Sequence, residues 1–575
     1  MVTLTIDGIK VTADENATIM EAAASVGINI PHLCYLKGIN EISACKVCIV
    51  EIQGNLKTVT ACSRKVQEGL VVYTNSPKVR SIRRSNVQFL LSQHDCRCAI
   101  CVRSGNCSLQ KLANELGIDE IPFTQELERN NWNQDFPLIR DASKCIKCMR
   151  CIQICDKVQS LNIWDVQNTG ARTTVDVRDN MEITEAHCSL CGQCITHCPV
   201  GALKERNDIP KVYDALADQK KVTVVQVAPA VRTAWAEAWG LSPEEATEGR
   251  MVAALKACGF DYVFDTSYSA DVTIWEEGNE LLERINNYTD HAWPMFTSCC
   301  PGWVSFLSME YPEFLPNLST AKSPQQMFGA LTKTYFARQK GLKPEEICSI
   351  SIMPCVSKKR EAALPTMNAS GAQDVDIVLT TRELTRLLKA EHINPKTLPE
   401  LPFDSPLGSS TGAAVIFGVT GGVMEAALRT GYFALTGEEA PADAFVEVRG
   451  EEGRKVKEFN INGTTIRTCT VSGLGNARKL LEDIKRDKVN YDFVEVMACP
   501  GGCVGGGGQP IHDGMEMAAE RGQHLYKLDV DRPLHQSHHN EDVKALYAQF
   551  LGHPLSETAE ELLHTDHVNE KNYIL

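Results

Sequence analysis

Residues 145–155 read CIKCMRCIQIC and residues 188–199 read CSLCGQCITHCP, so the spacing C-x2-C-x2-C-x3-C occurs twice. Cysteines this close in sequence are too tightly spaced for a regular disulfide framework and are typical of metal clusters. In such a pair of runs, three cysteines of one run and the last cysteine of the other bind each [4Fe–4S] cluster. We therefore predict one cluster on Cys145, Cys148, Cys151 and Cys198, and a second on Cys188, Cys191, Cys194 and Cys155.

The composition indicates a large globular protein rich in metal ligands. Its 575 residues correspond to about four domains, and 16 of its 24 cysteines lie between Cys34 and Cys198. The hydrophobic content of 43% excludes a disordered chain, and the net charge of −15 argues against a nucleic-acid partner. Residues 1–10 lack a secretory signal, and no stretch reaches the ~18 apolar residues of a membrane span. We therefore expect a cytoplasmic protein with reduced thiols and no membrane partner.

The N-terminal segment predicts a small ferredoxin-like domain. Residues 2–12 alternate between apolar and polar side chains around Asp7-Gly8, which is typical of a β-hairpin, and a helix is expected after Asn16 or Thr18. The four cysteines that follow have the spacing C-x10-C-x2-C-x13-C. Plant-type ferredoxins likewise combine a close C-x2-C pair with two more distant cysteines, but the gap before the pair is longer here. Zinc is the alternative metal. We predict a [2Fe–2S] cluster on Cys34, Cys45, Cys48 and Cys62.

A further set of ligands is found in residues 94–107, HDCRCAICVRSGNC. A single histidine is usually a structural residue, but three cysteines at ligand spacing behind this one favour metal binding. Imidazole in place of a thiolate raises the reduction potential of a cluster, which suits a site where electrons enter or leave. We predict a [4Fe–4S] cluster on His94, Cys98, Cys101 and Cys107, with Cys96 left over.

The remainder of the chain has the pattern of a large α/β domain. Apolar runs such as Val222–Val227 alternate with helical stretches such as Glu248–Ala257. Three cysteine motifs lie far apart in it: TSCCPGW at residues 297–303, MPCVSKK at residues 353–359 and EVMACPGGCVGGGGQP at residues 495–510. The glycine run lacks the Lys-Ser/Thr of a phosphate loop, and close backbone approach to a bulky metal group explains it better. Four of these cysteines can bind one more [4Fe–4S] cluster: Cys300, Cys355, Cys499 and Cys503.

With these three motifs the chain resembles the [FeFe]-hydrogenases, and its N-terminal cysteine blocks resemble the clostridial, monomeric, ferredoxin-linked form with four accessory clusters. The resemblance implies an H-cluster, in which a [4Fe–4S] cubane is joined through Cys503 to a two-iron subsite that carries CO, CN⁻ and an azadithiolate bridge. It implies the reaction 2H⁺ + 2e⁻ ⇌ H₂, with ferredoxin or flavodoxin as the electron partner. It also implies maturation proteins that supply the two-iron subsite, and a monomeric enzyme.

The resemblance further implies a proton route from the surface to the two-iron subsite. Cys299 lies beside a predicted cluster ligand and would carry protons, since thiol pKa values are readily tuned near metals. Glu277 and Glu280 are three residues apart and fall on one face of a helix, which without the resemblance would be interpreted as a solvated face. The residues implied in this route are Cys299, Glu277, Ser319, Glu280 and, near the outer end, Arg284.

The resemblance also implies residues that line the pocket of the two-iron subsite. Lys358 would hydrogen-bond a cyanide ligand, although a lysine is ordinarily exposed. Met353 and Met497 each precede a ligand cysteine by two residues, where core packing is the usual role of methionine. Ala230 replaces a serine of some family members, so we expect a changed rate or potential. The remaining pocket residues are Ala228, Pro229, Pro324, Gln325, Phe417 and Gly418.

Together these segments predict an α/β protein with small α+β modules. We expect a plant-type ferredoxin-like [2Fe–2S] domain at residues 1–78 and a His/Cys3 [4Fe–4S] domain at residues 79–125. A bacterial ferredoxin-like domain with two [4Fe–4S] clusters is expected at residues 126–209, and a large two-lobed α/β catalytic domain with the H-cluster at residues 210–575.

Two surface features are interpreted from charge and composition alone. Near Asp95, a basic stretch is a candidate docking surface for an acidic ferredoxin, with a solvated helix face as the alternative. Its cations are Lys78, Arg80, Arg83, Arg84, Arg97 and Arg103. The histidines near the C-terminus are interpreted as surface residues and not as a metal site; they are His535, His538 and His539.

Several other functions share part of this pattern. An electron-transfer subunit of a respiratory complex would share the cysteine blocks of the first 200 residues but would need none of the three distal motifs. An iron–sulfur assembly protein is expected to lack the full proton route. A sensory hydrogenase is expected to have a different residue in place of the thiol of that route. A larger complex that takes electrons from a nicotinamide also stays open, although no flavin or dinucleotide fingerprint is visible in the sequence.

Overall fold

In a computed structural model, which describes residues 1–450 and 453–568 and only the backbone of Ala171, the chain divides into two units. The first unit consists of Met1–Val158, Asn162–Ala186 and His197–Lys204, and the second of Gln159–Leu161, His187–Thr196 and Glu205–Leu575. The division therefore falls within the second cysteine run, since Cys194 belongs to the second unit and Cys198 to the first.

The hairpin predicted at the N-terminus is confirmed. Strands β1 (Val2–Ile6) and β2 (Ile9–Ala13) pair antiparallel, and Asp7 and Gly8 have the positive φ angles, 47° and 85°, that a tight two-residue turn requires. Helix α1 (Ile19–Ala24) begins after Thr18, whose side chain accepts a hydrogen bond from the backbone N–H three residues on. Three further strands complete a sheet of order β2-β1-β5-β3-β4: β3 (Ile49–Ile52), β4 (Val59–Thr60) and β5 (Val71–Tyr73).

The rest of the first unit consists of short elements around the cysteine runs. They are α2 (Pro77–Ser92), α3 (Ser108–Glu115), β6 (Leu138–Arg140), α4 (Arg150–Gln153), β7 (Trp164–Gln167), β8 (Thr174–Val177) and β9 (Leu203–Glu205). Strands β7 and β8 form an antiparallel pair, and β6 pairs with β9. Lys147 and Met149, between the cysteines of the first run, have φ angles of 54° and 63°. The backbone therefore turns sharply between these cysteines, which is what thiols directed at one point require.

Two sheets organise the second unit. Its strands are β10 (Val222–Val227), β11 (Tyr262–Asp265), β12 (Met295–Phe296), β13 (Ile347–Met353), β14 (Ile377–Thr380), β15 (Arg454–Ile461), β16 (Thr464–Ser472) and β17 (Phe493–Met497). One sheet has the order β11-β10-β13-β14 and is parallel throughout; the other has the order β12-β17-β16-β15 and is parallel except for the β15–β16 pair. The predicted strand at residues 222–227 is confirmed, and its apolar run is buried as expected of a parallel sheet covered on both faces.

Helices surround these sheets, and the predicted helix at residues 248–257 is confirmed. The helices are α5 (Gln193–Thr196), α6 (Ile209–Ala217), α7 (Glu248–Ala257), α8 (Thr266–Asn286), α9 (Pro301–Glu310), α10 (Pro324–Leu331), α11 (Ala337–Lys340), α12 (Lys358–Glu361), α13 (Thr381–Ala390), α14 (Gly412–Val415), α15 (Gly422–Thr436), α16 (Leu474–Lys485), α17 (Ala518–Asp531), α18 (Glu541–Leu546) and α19 (Glu557–Leu563). Within the residues that the structure describes, no helix has the length and apolar character needed to span a bilayer.

The cysteine motifs of the second unit follow the carboxyl ends of parallel strands. Cys355 comes two residues after the end of β13, and Cys499 comes two residues after the end of β17. Cys300 follows β12, which pairs in parallel with β17. Ligands of open α/β sheets characteristically bind at this edge. The topology thus brings together three motifs that lie up to 200 residues apart in sequence.

Candidate metal centre and proton route

Four free thiols meet in the interior of the second unit. Cys300 precedes α9, Cys355 and Cys499 follow two strands, and Cys503 opens the short turn Cys503–Gly505. Burial raises the pKa of Cys355, Cys499 and Cys503, and the neighbouring thiols raise it further. Thiolates so close would repel one another unless a cationic centre bound them, and the all-cysteine donor set fits a [4Fe–4S] cubane.

The glycine-rich run contacts the backbone of the other motifs. A Cβ atom on Gly508 would lie 2.7 Å from the carbonyl carbon of Pro354 and 2.8 Å from the nitrogen of Cys355. A Cβ atom on Gly192 would lie 2.8 Å from the Cα of Gly507. Gly507 and Gly508 therefore allow a close approach of protein backbone, and the predicted approach of this run to a metal group stays a prediction.

Apolar side chains pack around the cysteines in four separate clusters. Three of them contain predicted pocket residues: Phe417 and Met497 pack near Cys299 and Cys300, Ala228 and Met353 near Cys355, and Ala230 near Cys503. A Cβ atom on Gly418 would lie 3.3 Å from the Cβ of Ala230, and Pro229 is buried in the adjoining turn. These surroundings exclude water and strengthen electrostatic interactions within the site.

Lys358 is buried and paired, contrary to the ordinary exposure of lysine. Its Nζ lies 3.0 Å from both carboxylate oxygens of Glu361 and 3.2 Å from the carbonyl oxygen of Cys299. Gln325, next to the predicted Pro324, donates to Glu361 over 2.9 Å and accepts from Ser351 over 2.7 Å. Sequence analysis missed Glu361, although a buried lysine predicts a nearby carboxylate because an unpaired buried charge is costly.

The residues predicted for the proton route form a buried series. Glu277 on α8 raises the pKa of the Cys299 thiol, after burial itself. Ser319 donates to Glu280 over 2.7 Å, and Arg284 donates to the other oxygen of Glu280 over 2.6 Å. Glu277 and Glu280 lie on one face of α8, but that face is buried and not solvated. The structure therefore brings all five predicted residues together.

Glu277 has the most perturbed environment in this series. Glu277 is 1% exposed, and among the described residues neither of its carboxyl oxygens has a partner within hydrogen-bond geometry, although Ser319 and the backbone of Ser298 face it. Burial, followed by the nearby Glu280 carboxylate, raises the pKa of Glu277 to about 8. At neutral pH the group is thus mainly protonated and able to donate a proton.

The C-terminal segment holds the loop that carries Ser319, a feature that sequence analysis missed. Thr565 N donates to the carbonyl of Thr320 over 2.8 Å, and Lys322 N donates to the carbonyl of Leu563 over 2.8 Å. His564 lies with Nδ1 2.8 Å from the Thr320 hydroxyl and with Nε2 3.1 Å from the Glu276 carboxylate. The backbone N–H of Thr320 donates to both oxygens of Glu280, so this pairing positions the outer part of the proton route.

In the first unit, the four cysteines predicted to bind a [2Fe–2S] cluster are buried together. Cys34 hydrogen-bonds Cys45 and Cys48 hydrogen-bonds Cys62, and these bonds lower the pKa of Cys45 to about 5 and that of Cys62 to about 7. The hydroxyl of Ser43 lies 3.3 Å from the sulfur of Cys62. Acidic thiols beside neutral ones give up their protons readily to a metal, so this donor set fits the predicted cluster.

His94 has the orientation of a metal ligand. Its Nδ1 lies 3.0 Å from the carbonyl oxygen of Lys144, which leaves Nε2 free of that bond and fixes the tautomer. A Cβ atom on Gly201 would lie 2.7 Å from the sulfur of Cys101, so only glycine fits beside this thiol. Cys107 is half-buried near Cys101, and Cys96 is exposed with its thiol directed at backbone carbonyls, as expected of a residue outside the set.

Four cysteines of the double run line a cavity in the first unit. They are Cys145, Cys148, Cys151 and Cys198, and apolar side chains such as Trp164 and Val175 complete the wall. The donor set fits the first predicted cubane. Cys188, Cys191 and Cys194 belong to the second unit and Cys155 to the first, so their common cluster stays a prediction. Within the second unit, the Cys499 thiol lies 3.6 Å from the carbonyl of Cys191.

The docking surface predicted from basic residues is partly wrong. Arg83 is 3% exposed because its guanidinium donates to the carbonyls of Val47, Ile49 and Thr74, all between 2.9 and 3.0 Å. Arg103 is also buried, with bonds to backbone carbonyls. At these two positions the arginine side chain hydrogen-bonds backbone carbonyls and is not available to an electron partner. The predicted docking surface is therefore reduced to Lys78, Arg80, Arg84 and Arg97. The prediction of a surface position for His538 is also wrong, since 9% of it is exposed.

Family models match five successive parts of the chain. The model described as the C-terminal domain of the iron only hydrogenase large subunit matches residues 221–507, and the iron hydrogenase small subunit matches residues 515–570. A 2Fe-2S cluster binding domain matches residues 1–77, the NADH-ubiquinone oxidoreductase-G iron-sulfur binding region matches residues 83–122, and a 4Fe-4S dicluster domain matches residues 144–202. The predicted architecture of ferredoxin-like modules and a large H-cluster domain is confirmed by these matches.

Two relatives match the chain over nearly its whole length. The chain is 45% identical to the NADP-reducing hydrogenase subunit HndD of Solidesulfovibrio fructosivorans, over 98% of both chains. It is 37% identical to iron hydrogenase 1 of Clostridium pasteurianum, over 98% of this chain and 99% of the relative. Among solved structures, an apo [FeFe]-hydrogenase from Chlamydomonas reinhardtii is 40% identical with a TM-score of 0.57, covering 62% of this chain and 98% of the other.

Proposed function

The chain belongs to the iron-only hydrogenase family, whose members are oxidoreductases that act on H₂, and from this we propose that it catalyses 2H⁺ + 2e⁻ ⇌ H₂ with ferredoxin as its electron partner. The observation that carries the proposal is the meeting of four cysteine thiols with the buried series from Cys299 to Arg284. An electron-transfer subunit would need neither the three distal cysteine motifs nor this buried series. A proton route that ends beside a metal centre is required only where protons react.

In this proposal Cys300, Cys355, Cys499 and Cys503 hold the H-cluster, and maturation proteins supply its two-iron part. When bound, the H-cluster supplies the redox-active iron at which protons and electrons combine. The protein keeps the site dry with the apolar side chains around the cysteines, and Lys358 offers a buried ammonium group beside the backbone of Cys299. That cation would neutralise an anionic ligand of the cluster.

The chain's own residues move the proton. Glu277 holds a proton at neutral pH and faces Cys299, whose thiol would pass it inward. Ser319 can accept a proton on one side and donate on the other, because its hydroxyl bonds Glu280 and faces Glu277. Arg284 donates two hydrogen bonds to Glu280 and so holds its carboxyl group in position at the outer end. Each step joins neighbouring groups within the buried series.

Electrons reach the site through the accessory clusters in this proposal. The Cys499 thiol contacts the backbone of Cys191, so a cluster on Cys188, Cys191 and Cys194 would be the neighbour of the H-cluster. An electron partner would give or take electrons at the clusters of the first unit. One of these is the predicted cluster with His94 as a ligand.

A second candidate places the chain in a larger assembly that reduces a nicotinamide. It is favoured by the 45% identity to a relative that is named as a subunit of an NADP-reducing hydrogenase. In that case another subunit would carry the nicotinamide site, and this chain would deliver electrons from H₂ to it. Both candidates place the same reaction at the H-cluster and differ only in the partner.

Infrared spectroscopy of the anaerobic protein, matured with the two-iron subsite, tests the H-cluster. Bands of bound CO and CN⁻ are expected, and their absence in protein with intact accessory clusters would overturn the proposal. The partner is tested by supplying H₂ and either ferredoxin or NADP⁺ to the matured chain. Direct reduction of ferredoxin is expected. Failure with ferredoxin, together with NADP⁺ reduction once other subunits are added, would establish the second candidate.

A further inference from the structure

Three potential metal ligands meet on the second unit, away from the cysteines. Glu439 lies in the loop after α15, and His538 and His539 lie in the short turn Ser537–His539. The Nε2 atom of His539 is 2.6 Å from Oε1 of Glu439, and the Nε2 atom of His538 is 3.1 Å from the same oxygen. The three ligand atoms lie within 4.8 Å of one another. Residues about 100 positions apart in sequence thus direct nitrogen and oxygen donors at one point.

The surroundings of His538 fix its ring in the direction of that point. Phe433 on α15 stacks on the imidazole with a centroid separation of 4.3 Å and an angle of 12°. The Nδ1 atom lies 3.3 Å from the hydroxyl of Thr430, one turn earlier on the same helix. A ring whose Nδ1 is bonded to a neighbouring oxygen presents its other nitrogen as the ligand, which is the usual arrangement of metal-binding histidines.

We propose that Glu439, His538 and His539 bind a zinc ion. Two imidazoles and one carboxylate form a common donor set for Zn²⁺, with a fourth position left for water. The side chains of Glu439 and His539 are 42% and 39% exposed, so the ion can enter from solvent and keep a water ligand. Tetrahedral coordination places ligand atoms ~3.3 Å apart, which small side-chain rotations reach from the observed positions.

The zinc ion would fasten the turn at residues 537–539 to α15. The same turn contacts α8, because the indole N–H of Trp275 donates to the carbonyl of Ser537 over 3.1 Å. The neighbouring Asn540 donates to the Asp271 carboxylate, also on α8, over 3.0 Å. Zinc would therefore stabilise the attachment of the C-terminal segment to the helix that carries Glu277 and Glu280. Its role is structural, and the hydrogenase reaction does not depend on it.

The test is a Zn²⁺ titration of cluster-loaded, chelator-treated protein by calorimetry under anaerobic conditions. We expect one site per chain whose affinity falls at least tenfold in His539→Ala and in Glu439→Gln, both at exposed positions. His553→Ala, at an exposed histidine whose ring lies within hydrogen-bond distance of the Pro554 carbonyl, should bind as the wild type does. Zn²⁺ should also raise the midpoint of thermal denaturation in the wild type but not in the two site variants.

X-ray absorption at the zinc edge separates this site from binding to cysteines. Nitrogen and oxygen ligands without sulfur are expected in the wild type. Sulfur ligands, or a wild-type affinity no higher than that of the two site variants, would overturn the proposal. The iron content and the infrared bands of each variant show whether it has folded around its clusters, so a misfolded variant is recognised and replaced by Glu439→Ala.

Discussion

Glu277 is the residue at which the proton route can be interrupted with the least disturbance. Its carboxyl is buried and mainly protonated at neutral pH, so glutamine reproduces its shape and neutrality but cannot transfer a proton. We expect Glu277→Gln to lower H₂ turnover by about 10²- to 10⁴-fold, the usual contribution of a positioned acid–base group. The assay is H₂ evolution with an artificial one-electron donor, which leaves the natural partner out of the measurement.

Glu283 on the same helix provides the matched control for this variant. Its side chain is 44% exposed and pairs with His291. Glu283→Gln should retain full turnover, and both variants should show the iron content and infrared bands of the wild type. Equal losses of activity in the two variants would mean that the change acts through α8 in general and not through proton transfer.

The raised pKa of Glu277 also makes stability depend on pH. The folded protein holds this proton up to about pH 8, whereas an unfolded carboxyl releases it near the ordinary value of 4.5. The contribution of the protonated group to stability is therefore fully present below pH 4.5 and is lost as the pH rises through 8. The wild type should lose stability relative to Glu277→Gln between pH 5.5 and about 8. Thermal denaturation midpoints at several pH values measure this difference, and a constant difference would refute the assignment.

At the scale of elements, the end of α19 and the loop that follows α9 are joined by His564. The imidazole bridges the Thr320 hydroxyl and the Glu276 carboxylate, which Tyr547 also contacts through its hydroxyl. His564→Ala leaves these buried groups without their partner, and we expect a loss of about 1–3 kcal/mol in stability. Turnover should also fall, on the order of 10- to 100-fold, because the loop positions Ser319 against Glu280.

Denaturation midpoints and H₂ evolution of the His564 variant measure the two effects. His553→Ala is the control, since this histidine is exposed and only 11 residues away along the chain. Wild-type stability in His564→Ala would show that the C-terminal pairing does not depend on the side chain. Wild-type turnover in a destabilised variant would show that the pairing stabilises the fold but does not position the proton route.

Elements with local signals were predictable from the sequence. The hairpin around Asp7-Gly8, the strand at residues 222–227 and the helix at residues 248–257 are encoded by turn residues and by hydrophobic periodicity. The cysteine sets were predictable for the same reason, because ligand spacing is itself local. The pairing of Glu277 with Cys299 depended on the resemblance to a family and not on any periodicity.

Features that depend on distant partners were not predictable. Arg83 was interpreted as a surface cation because its carbonyl partners at Val47 and Ile49 lie more than 30 residues earlier. His538 was interpreted as exposed because Phe433, which covers it, lies about 100 residues earlier. A single sequence states that a residue is basic or aromatic, but only tertiary packing decides which other residue it meets.

At the scale of the whole molecule, the predicted clusters fix the iron content. One [2Fe–2S] cluster, three accessory [4Fe–4S] clusters and an H-cluster require about 20 iron atoms per chain. Protein produced without maturation of the two-iron subsite should contain about 18, with the electronic spectra of the other clusters unchanged. Elemental analysis of both preparations measures these values. A content near 16 in matured protein would mean that one accessory [4Fe–4S] set, with Cys155 among the candidates, does not bind a cluster.

The C-terminal pairing has a consequence for the protein in dilute solution. The residues that match the small-subunit model are part of the same polypeptide as the loop that they hold, so their effective concentration at that loop is set by the connecting chain. The intramolecular contact does not dissociate on dilution, as a contact between separate chains would. Specific activity should therefore be independent of protein concentration down to the nanomolar range, without any added second component.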